Sequence, residues 1–199
     1  MIKTTPMIFN TEMVRALLAG NKARTRRIVK PQPFVSDVFP SWVFPATKKE
    51  AKEGAGLFYP NSKSSVLARC PFGKAGDLIY VRETSGEIIR QVGSTPHKKS
   101  VFKADSPNAV EYYDCNGKPG PAVKWKPSIH MPRWASRLTL KINSVRVERI
   151  QDISEADAKK EGISFLRNAP DCDETLTEKQ LFGFLWDSVY PESWNKNEW

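Results

Sequence analysis

The residues of this chain that are best suited to chemistry lie between Gly20 and Arg27, in the order Gly-Asn-Lys-Ala-Arg-Thr-Arg-Arg. A threonine hydroxyl is a poor nucleophile until a base takes its proton, and a lysine can be that base when burial or neighbouring cations lower its pKa. The segment therefore predicts that Lys22 activates Thr25. The same residues are also typical of a basic strand edge, where cations prevent pairing with another strand. The cations that flank the hydroxyl are Arg24, Arg26 and Arg27.

The residues before this segment predict a short amphipathic helix that begins after Asn10 or Thr11 and ends at Gly20. After Gly20 the chain is expected to extend as a strand over residues 23–29. Successive side chains of a strand point to opposite faces, so Thr25 and Arg27 are predicted on one face and Arg24 and Arg26 on the other. Lys22 would then sit in the turn, free to swing towards Thr25.

A second candidate for chemistry, Glu161, stands at the end of a predicted short helix that is capped by Ser154 and stops at Gly162. The helix dipole disfavours a negative charge there by about 0.3–1 kcal/mol. A carboxylic acid at this position could protonate a leaving amine. Three simpler roles stay open: Glu161 as a salt-bridge partner of Arg27, Thr25 as a backbone cap, and Lys22 with Arg27 as phosphate contacts without catalysis.

The charge balance of the chain favours a polyanionic partner. The 199 residues include 31 Lys and Arg against 22 Asp and Glu, which gives a formal net charge of +9. Such an excess points first to nucleic acid, although it carries no information on sequence specificity.

The few cysteines and histidines argue against a metal site, and no cofactor is expected. Their spacing fits no zinc motif, and an odd, sparse set of cysteines is typical of a reducing compartment. No apolar run is long enough to span a membrane, and no secretory leader is seen at Met1. We therefore expect no membrane association and a cytoplasmic location, in a bacterium or a phage-infected host cell. The residues concerned are Cys70, Cys115, Cys172, His97 and His130.

The remaining pattern predicts one α+β domain over residues 1–199, with irregular insertions at about 31–64 and 91–127. Short strands are expected within the second insertion, near residues 101–104 and 110–113. Residues 77–83 read as a buried strand, and the alternation over 137–148 predicts a strand pair or one bent strand. A last helix after Thr177 is expected to bury Leu181, Phe184, Leu185 and Val189.

The segment between Trp125 and Arg137 combines two tryptophans, a histidine and several cations with two prolines. This composition suits base stacking on a rigid loop, and packing in the core is the alternative. We expect His130 and Arg133 to face a binding cleft and Trp134 to be mostly buried.

The pattern Gly-x-Lys-x-x-Thr-x-Arg, placed behind a Leu-Leu-Ala helix end, resembles the signature of the ASCH domain, a PUA-like family associated with RNA. Residues 70–83 resemble the Gly-Asp-strand segment of that family, residues 125–137 the version carried by phages and prophages, and residues 150–163 the helix after the central strands. The resemblance implies a PUA-like mixed β-barrel with short peripheral helices. Its basic cleft would be lined by Lys22, Thr25, Arg27 and Glu161.

The resemblance also implies a function. Small bacterial ASCH proteins that hydrolyse N4-acetylcytidine use a lysine, a threonine and a glutamate, which correspond here to Lys22, Thr25 and Glu161. Other members cleave RNA or only bind it. The expectation is a protein that binds RNA or a modified nucleoside and hydrolyses the amide of N4-acetylcytidine, with a ribonuclease or a non-catalytic phage protein as the alternatives. The residues expected to bind the substrate are Arg24, Arg26, Arg27, His130 and Arg133.

Two further expectations concern the ends of the pattern. Relatives of the phage type run on after Trp194-Asn195 into a final apolar strand, whereas this sequence stops at Trp199. Either the closing strand of the barrel is absent or the sequence is a shortened version. If the protein acts on a host protein instead of RNA, the Pro-rich residues 31–64 are the predicted contact surface.

Overall fold

The computed structural model describes residues 2–30, 32–35, 42–44, 57–59, 70–92, 94–170 and 172–196. It confirms the α+β class. The chain divides into two compact units, unit 1 with residues 1–20 and 72–143 and unit 2 with residues 21–71 and 144–199. The single domain stays a prediction. The helices are α1 Thr11–Leu18, α2 Glu155–Lys159 and α3 Glu178–Val189; the strands are β1 Thr4–Ile8, β2 Phe34–Val35, β3 Trp42–Phe44, β4 Leu57–Tyr59, β5 Leu78–Arg82, β6 Ser85–Val92, β7 Thr95–Phe102 and β8 Thr139–Lys141.

Unit 1 is built around a three-stranded mixed sheet. Strand β5 lies in the centre, β1 pairs with it in parallel, and β8 pairs with it antiparallel. Because side chains alternate along a strand, Ile79 and Val81 point into the core, whereas Tyr80 and Arg82 lie half-buried on the other face. The core that the sheet covers contains Met7, Phe9, Val14, Ile79, Val81, Ala104 and Ile142.

Helix α1 starts and stops where the sequence predicts. The Asn10 side chain accepts a hydrogen bond from the backbone N–H of Met13 at 2.8 Å, and Gly20 leaves the helix with a φ of +74°. Both signals are local, so they needed no knowledge of the rest of the fold.

Two strand predictions for unit 1 need correction. Residues 77–83 and the start of 137–148 do share a sheet, but β8 covers only residues 139–141, and no strand forms over residues 142–148. Val145, one of the apolar residues that suggested a buried strand, is exposed in this stretch. In the stretch expected to be irregular from residue 91, β6 and β7 form a regular hairpin in which Ser85 is opposite Phe102.

Unit 2 contains an antiparallel sheet with the order β2-β3-β4, which lies in the stretch 31–64 that was predicted to be irregular. Helix α2 is capped by Ser154 as predicted, and Gly162 follows with a φ of +79°. The apolar core of this unit contains Ile150, Ile153, Ala158, Ile163, Leu181, Phe182 and Trp186.

Helix α3 has the predicted capping box between Thr177 and Gln180 but buries a different side. Phe184 and Val189 are exposed, whereas Phe182 and Trp186 are buried. The prediction is confirmed for Leu181, which is buried, and Leu185 is half-buried, but it was wrong for Phe184 and Val189. Phe182 and Trp186 lie in the core instead, with their ring centroids 5.7 Å apart. None of the helices within the described residues is long and apolar enough to cross a membrane.

Candidate functional site

Lys22 and Glu161 are brought together by the backbone of unit 2. The two residues form an isolated antiparallel bridge, and the N–H groups of Ala23 and Arg24 both donate to the carbonyl of Lys160, at 2.9 and 3.0 Å. The strand predicted over residues 23–29 is therefore wrong. Two successive amides converge on one carbonyl at the turn after α2, instead of alternating along a ladder as strand amides do.

The side chains of Lys22 and Glu161 form a buried ion pair. Lys22 Nζ donates to Glu161 Oε2 at 3.0 Å and to the Glu161 carbonyl at 2.7 Å, and the two side chains are only 1% and 4% exposed. Burial lowers the pKa of Lys22, and the nearby Arg27 and Arg26 lower it further, while the Glu161 carboxylate opposes the shift. The resemblance implied that residues 22 and 161 meet, and they are in direct contact.

A network of arginines and carboxylates surrounds this pair. Arg26 donates to Glu161 Oε1 at 2.9 Å and to Glu148 Oε2 at 3.1 Å, while Arg24 donates to Asp157 at 2.5 Å. Further out, the exposed Arg146 lies 3.2 Å from Glu148 and 3.7 Å from Asp157. The described ion pairs of Glu161 are thus with Lys22 and Arg26.

Thr25 and Arg27 form a separate contact. Arg27 Nη1 donates to Thr25 Oγ1 at 2.9 Å and to the Arg26 carbonyl at 2.7 Å. A guanidinium that donates to a hydroxyl oxygen leaves the O–H free to donate elsewhere, and it stabilises negative charge that develops on the oxygen. Lys22 Nζ is directed to Glu161 in this structure, not to Thr25.

We refer to these residues together as the Lys22 cluster. Because Lys22 and Glu161 are buried, they lie beneath the surface and do not line an open cleft as expected. Arg24 and Glu148 are each about one third exposed, and Arg146 is 54% exposed. The cluster has five cations against three carboxylates: Lys22, Arg24, Arg26, Arg27 and Arg146 against Glu148, Asp157 and Glu161, with Thr25 among them.

Sequence reasoning missed the acidic members other than Glu161. Asp157 precedes Glu161 by four residues, a spacing that places two side chains on the same side of a helix, so it could have been found. Glu148 and Arg146 lie in a stretch that read as a strand, and no local signal marks them as partners of Arg26.

The other two predicted binding residues lie in unit 1. His130 ends one 3₁₀ turn, Ser128–His130, and Arg133 begins the next, Arg133–Ala135. Both are exposed. Trp134 is also exposed, at 79%, so the prediction that it is buried was wrong. Met131 takes the buried position in this segment and turns the following residues outward.

Within the described residues, no group of three or more His, Cys, Asp or Glu side chains is arranged to hold a metal ion. The segment 31–64, predicted as the contact surface for a host protein, lies largely outside the described residues. Comparisons with protein-family models, with curated proteins and with solved structures find no match for this chain.

Proposed function

We propose that the Lys22 cluster binds RNA or a modified nucleoside, in a chain that is an ASCH protein with a PUA-like mixed β-barrel. The four arginines of the cluster carry the proposal, because two of them, Arg24 and Arg146, are partly exposed, at 33% and 54%. Arginine binds phosphate oxygens in the same bidentate geometry as carboxylates, so a phosphate group would bind at this exposed end. The motif from Gly20 to Arg27 and the mixed sheet of unit 1 support the family assignment.

Salt dependence tests the binding. Single-stranded RNA binding weakens with a slope of about −0.7 in log K against log salt for each phosphate neutralised. Binding is measured by fluorescence anisotropy of fluorescein-labelled single-stranded RNA between about 50 and 200 mM salt, the range in which this effect is large. The slope should be shallower for Arg27→Ala than for the unmodified protein, by about 0.7. Lys196→Ala is the matched control, because Lys196 is an exposed cation of unit 2 outside the cluster. Equal slopes for the two variants would remove the proposal.

A second candidate function is hydrolysis of the amide of N4-acetylcytidine, and the hydrogen bond between Lys22 and Glu161, a candidate base and a candidate acid, favours it. The reaction requires Lys22 to be neutral and to turn its amine from Glu161 towards Thr25. Thr25 Oγ1 then forms a bond to the acetyl carbon while Lys22 takes the hydroxyl proton. The proton passes across the 3.0 Å contact to Glu161, which delivers it to N4 as the C–N bond breaks. Water then hydrolyses the acetyl ester of Thr25 and releases acetate. Arg27 stabilises charge on the threonine oxygen.

Turnover of purified protein on N4-acetylcytidine, followed as cytidine release by chromatography, tests this reaction. Thr25→Ala should lower the rate by at least about 10²-fold, whereas Thr25→Ser should keep part of it because the hydroxyl remains. The described hydrogen bond of the Thr25 hydroxyl is with Arg27 alone, so these variants should fold, which circular dichroism checks. No turnover on the nucleoside or on acetylated RNA would leave binding as the function. Cleavage of the RNA chain would indicate a ribonuclease.

A further inference from the structure

Unit 1 exposes a tryptophan on a well-held loop. Trp134 lies in the loop 127–136, called here the Trp134 loop, and its side chain is 79% exposed. Ile129 of the same loop is also exposed, at 59%, so this loop presents two large apolar side chains to solvent.

The backbone of the Trp134 loop is fixed by several contacts. Arg82, on the half-buried face of β5, donates from Nε to the Met131 carbonyl at 2.9 Å and also donates to the Ile129 carbonyl. Ser136 Oγ donates to the Val81 carbonyl at 2.8 Å, and Met131 itself is buried. The indole is thus presented by an ordered support, so a ligand need not immobilise the loop on binding.

Arg133, which directly precedes Trp134 in the sequence, carries a flat, positively charged guanidinium. The guanidinium of Arg133 stacks over the ring of Tyr80, with 4.7 Å between Cζ and the ring centroid. Arg133 is exposed, so its charge and its free edge stay available to a ligand. An exposed indole next to a stacked guanidinium offers one surface for a planar base and one positive charge for its phosphate.

The charge of unit 1 matches a polyanion. Of the net charge of +9, residues 1–20 and 72–143 contribute +7, from 14 Lys and Arg against seven Asp and Glu. The exposed part of β7 presents His97, Lys98 and Lys99. The Trp134 loop adjoins the base of this hairpin, because Lys126 bridges to Ser85 and Arg137 stacks over the ring of Phe102 at 4.0 Å.

From these observations we propose that unit 1 binds single-stranded RNA, with one base stacked on Trp134 and Arg133 bound to a neighbouring phosphate. Single strands are favoured because only unpaired bases offer a free face to an aromatic side chain. This site lies outside the Lys22 cluster and does not depend on the reaction proposed for it.

Binding of a fluorescein-labelled oligoadenylate of eight nucleotides, a length within the range of single-strand sites, tests the proposal by anisotropy. Stacking of one base is worth about 1–3 kcal/mol, so Trp134→Ala should weaken binding by about 5- to 150-fold. Trp134→Phe should retain most of the affinity. Arg133→Lys, which keeps the charge but loses the planar group, should weaken binding less than Trp134→Ala. Tyr113→Ala is the matched control, because Tyr113 is another exposed aromatic residue of unit 1, at 68% exposure.

A blunt-ended RNA duplex of the same length separates stacking from charge. Duplex binding should be unaffected by Trp134→Ala, because its bases are already stacked on each other. Equal loss on duplex and single strand, or a change below twofold on both, would overturn the proposal. So would unchanged RNA affinity together with loss of a dimer in sedimentation, which would make Trp134 a contact between two copies of the chain. Neither Thr25→Ala nor Arg27→Ala should alter the effect of Trp134→Ala, so failure here is distinguishable from failure at the Lys22 cluster.

Discussion

Replacement of Glu161 by glutamine should destabilise unit 2 strongly, because Lys22 would keep a buried charge without its counter-ion. At 3.0 Å and an effective dielectric constant of about 20, the gross attraction between the two charges is about 5 kcal/mol. Lys22 retains its hydrogen bond to the Glu161 carbonyl, and the glutamine oxygen can still accept from it. We therefore expect a loss of about 3 kcal/mol in the free energy of unfolding, at the lower end for a broken buried pair.

A double-mutant cycle with Lys22→Met isolates the pair. Methionine is similar in length to lysine, and it removes the charge that needs the carboxylate. The free energy of unfolding of the double variant should therefore be about 2 kcal/mol higher than the sum of the two single effects predicts. Urea denaturation followed by tryptophan fluorescence measures this, since Trp186 lies in the core of the same unit. Arg146→Gln is the control, because its exposed ion pairs should contribute less than about 1 kcal/mol. Effects of Lys22→Met and Glu161→Gln that add to within about 0.5 kcal/mol would refute the proposed coupling.

Three further outcomes follow from particular contacts. The pKa of Lys22 is lower in the folded protein than in the unfolded chain, so between these two pKa values the unfolded chain binds more protons. The free energy of unfolding should therefore rise with pH in that range. Urea midpoints compared from about pH 7 to 10 measure this rise, which should vanish in Lys22→Met. Gly86→Ala should cost about 1–3 kcal/mol in thermal unfolding, because the added Cβ would lie 2.2 Å from Val123 Cγ1; no loss would mean that Val123 moves freely. Thr177→Ala should cost about 1 kcal/mol through loss of the α3 cap, and Thr177→Ser should restore most of it.

Helix ends were the most predictable features of this chain. Asn10, Ser154 and Thr177 cap their helices, and Gly20 and Gly162 leave theirs in the left-handed conformation. Each signal acts within a few residues, so it can be read without the fold. The buried side of α3 could be read only in part: Leu181 is buried as predicted, but Phe182 and Trp186 take the places expected for Phe184 and Val189, which depends on the packing of the whole core.

The candidate site was predictable only in part. Lys22, Thr25 and Arg27 stand out from their spacing, but Glu161 was connected to them through a family resemblance, since nothing local joins residues so far apart. Trp134 was predicted to be buried because of its residue type. Its exposure follows from Met131 filling the core position, which only the packed loop reveals.

The bridge between Lys22 and Glu161 also has a consequence for the order of folding. Its two residues are 139 positions apart, and closing a flexible loop of that length costs about 4 kcal/mol of chain entropy before any contact compensates. Contacts of such long range form late and slow folding. The helical turn of α2 and the hairpin of β6 and β7 can form early from neighbouring residues. We therefore expect the Lys22 cluster to form late, so a refolding chain should regain most of its secondary structure before it regains any activity of that cluster.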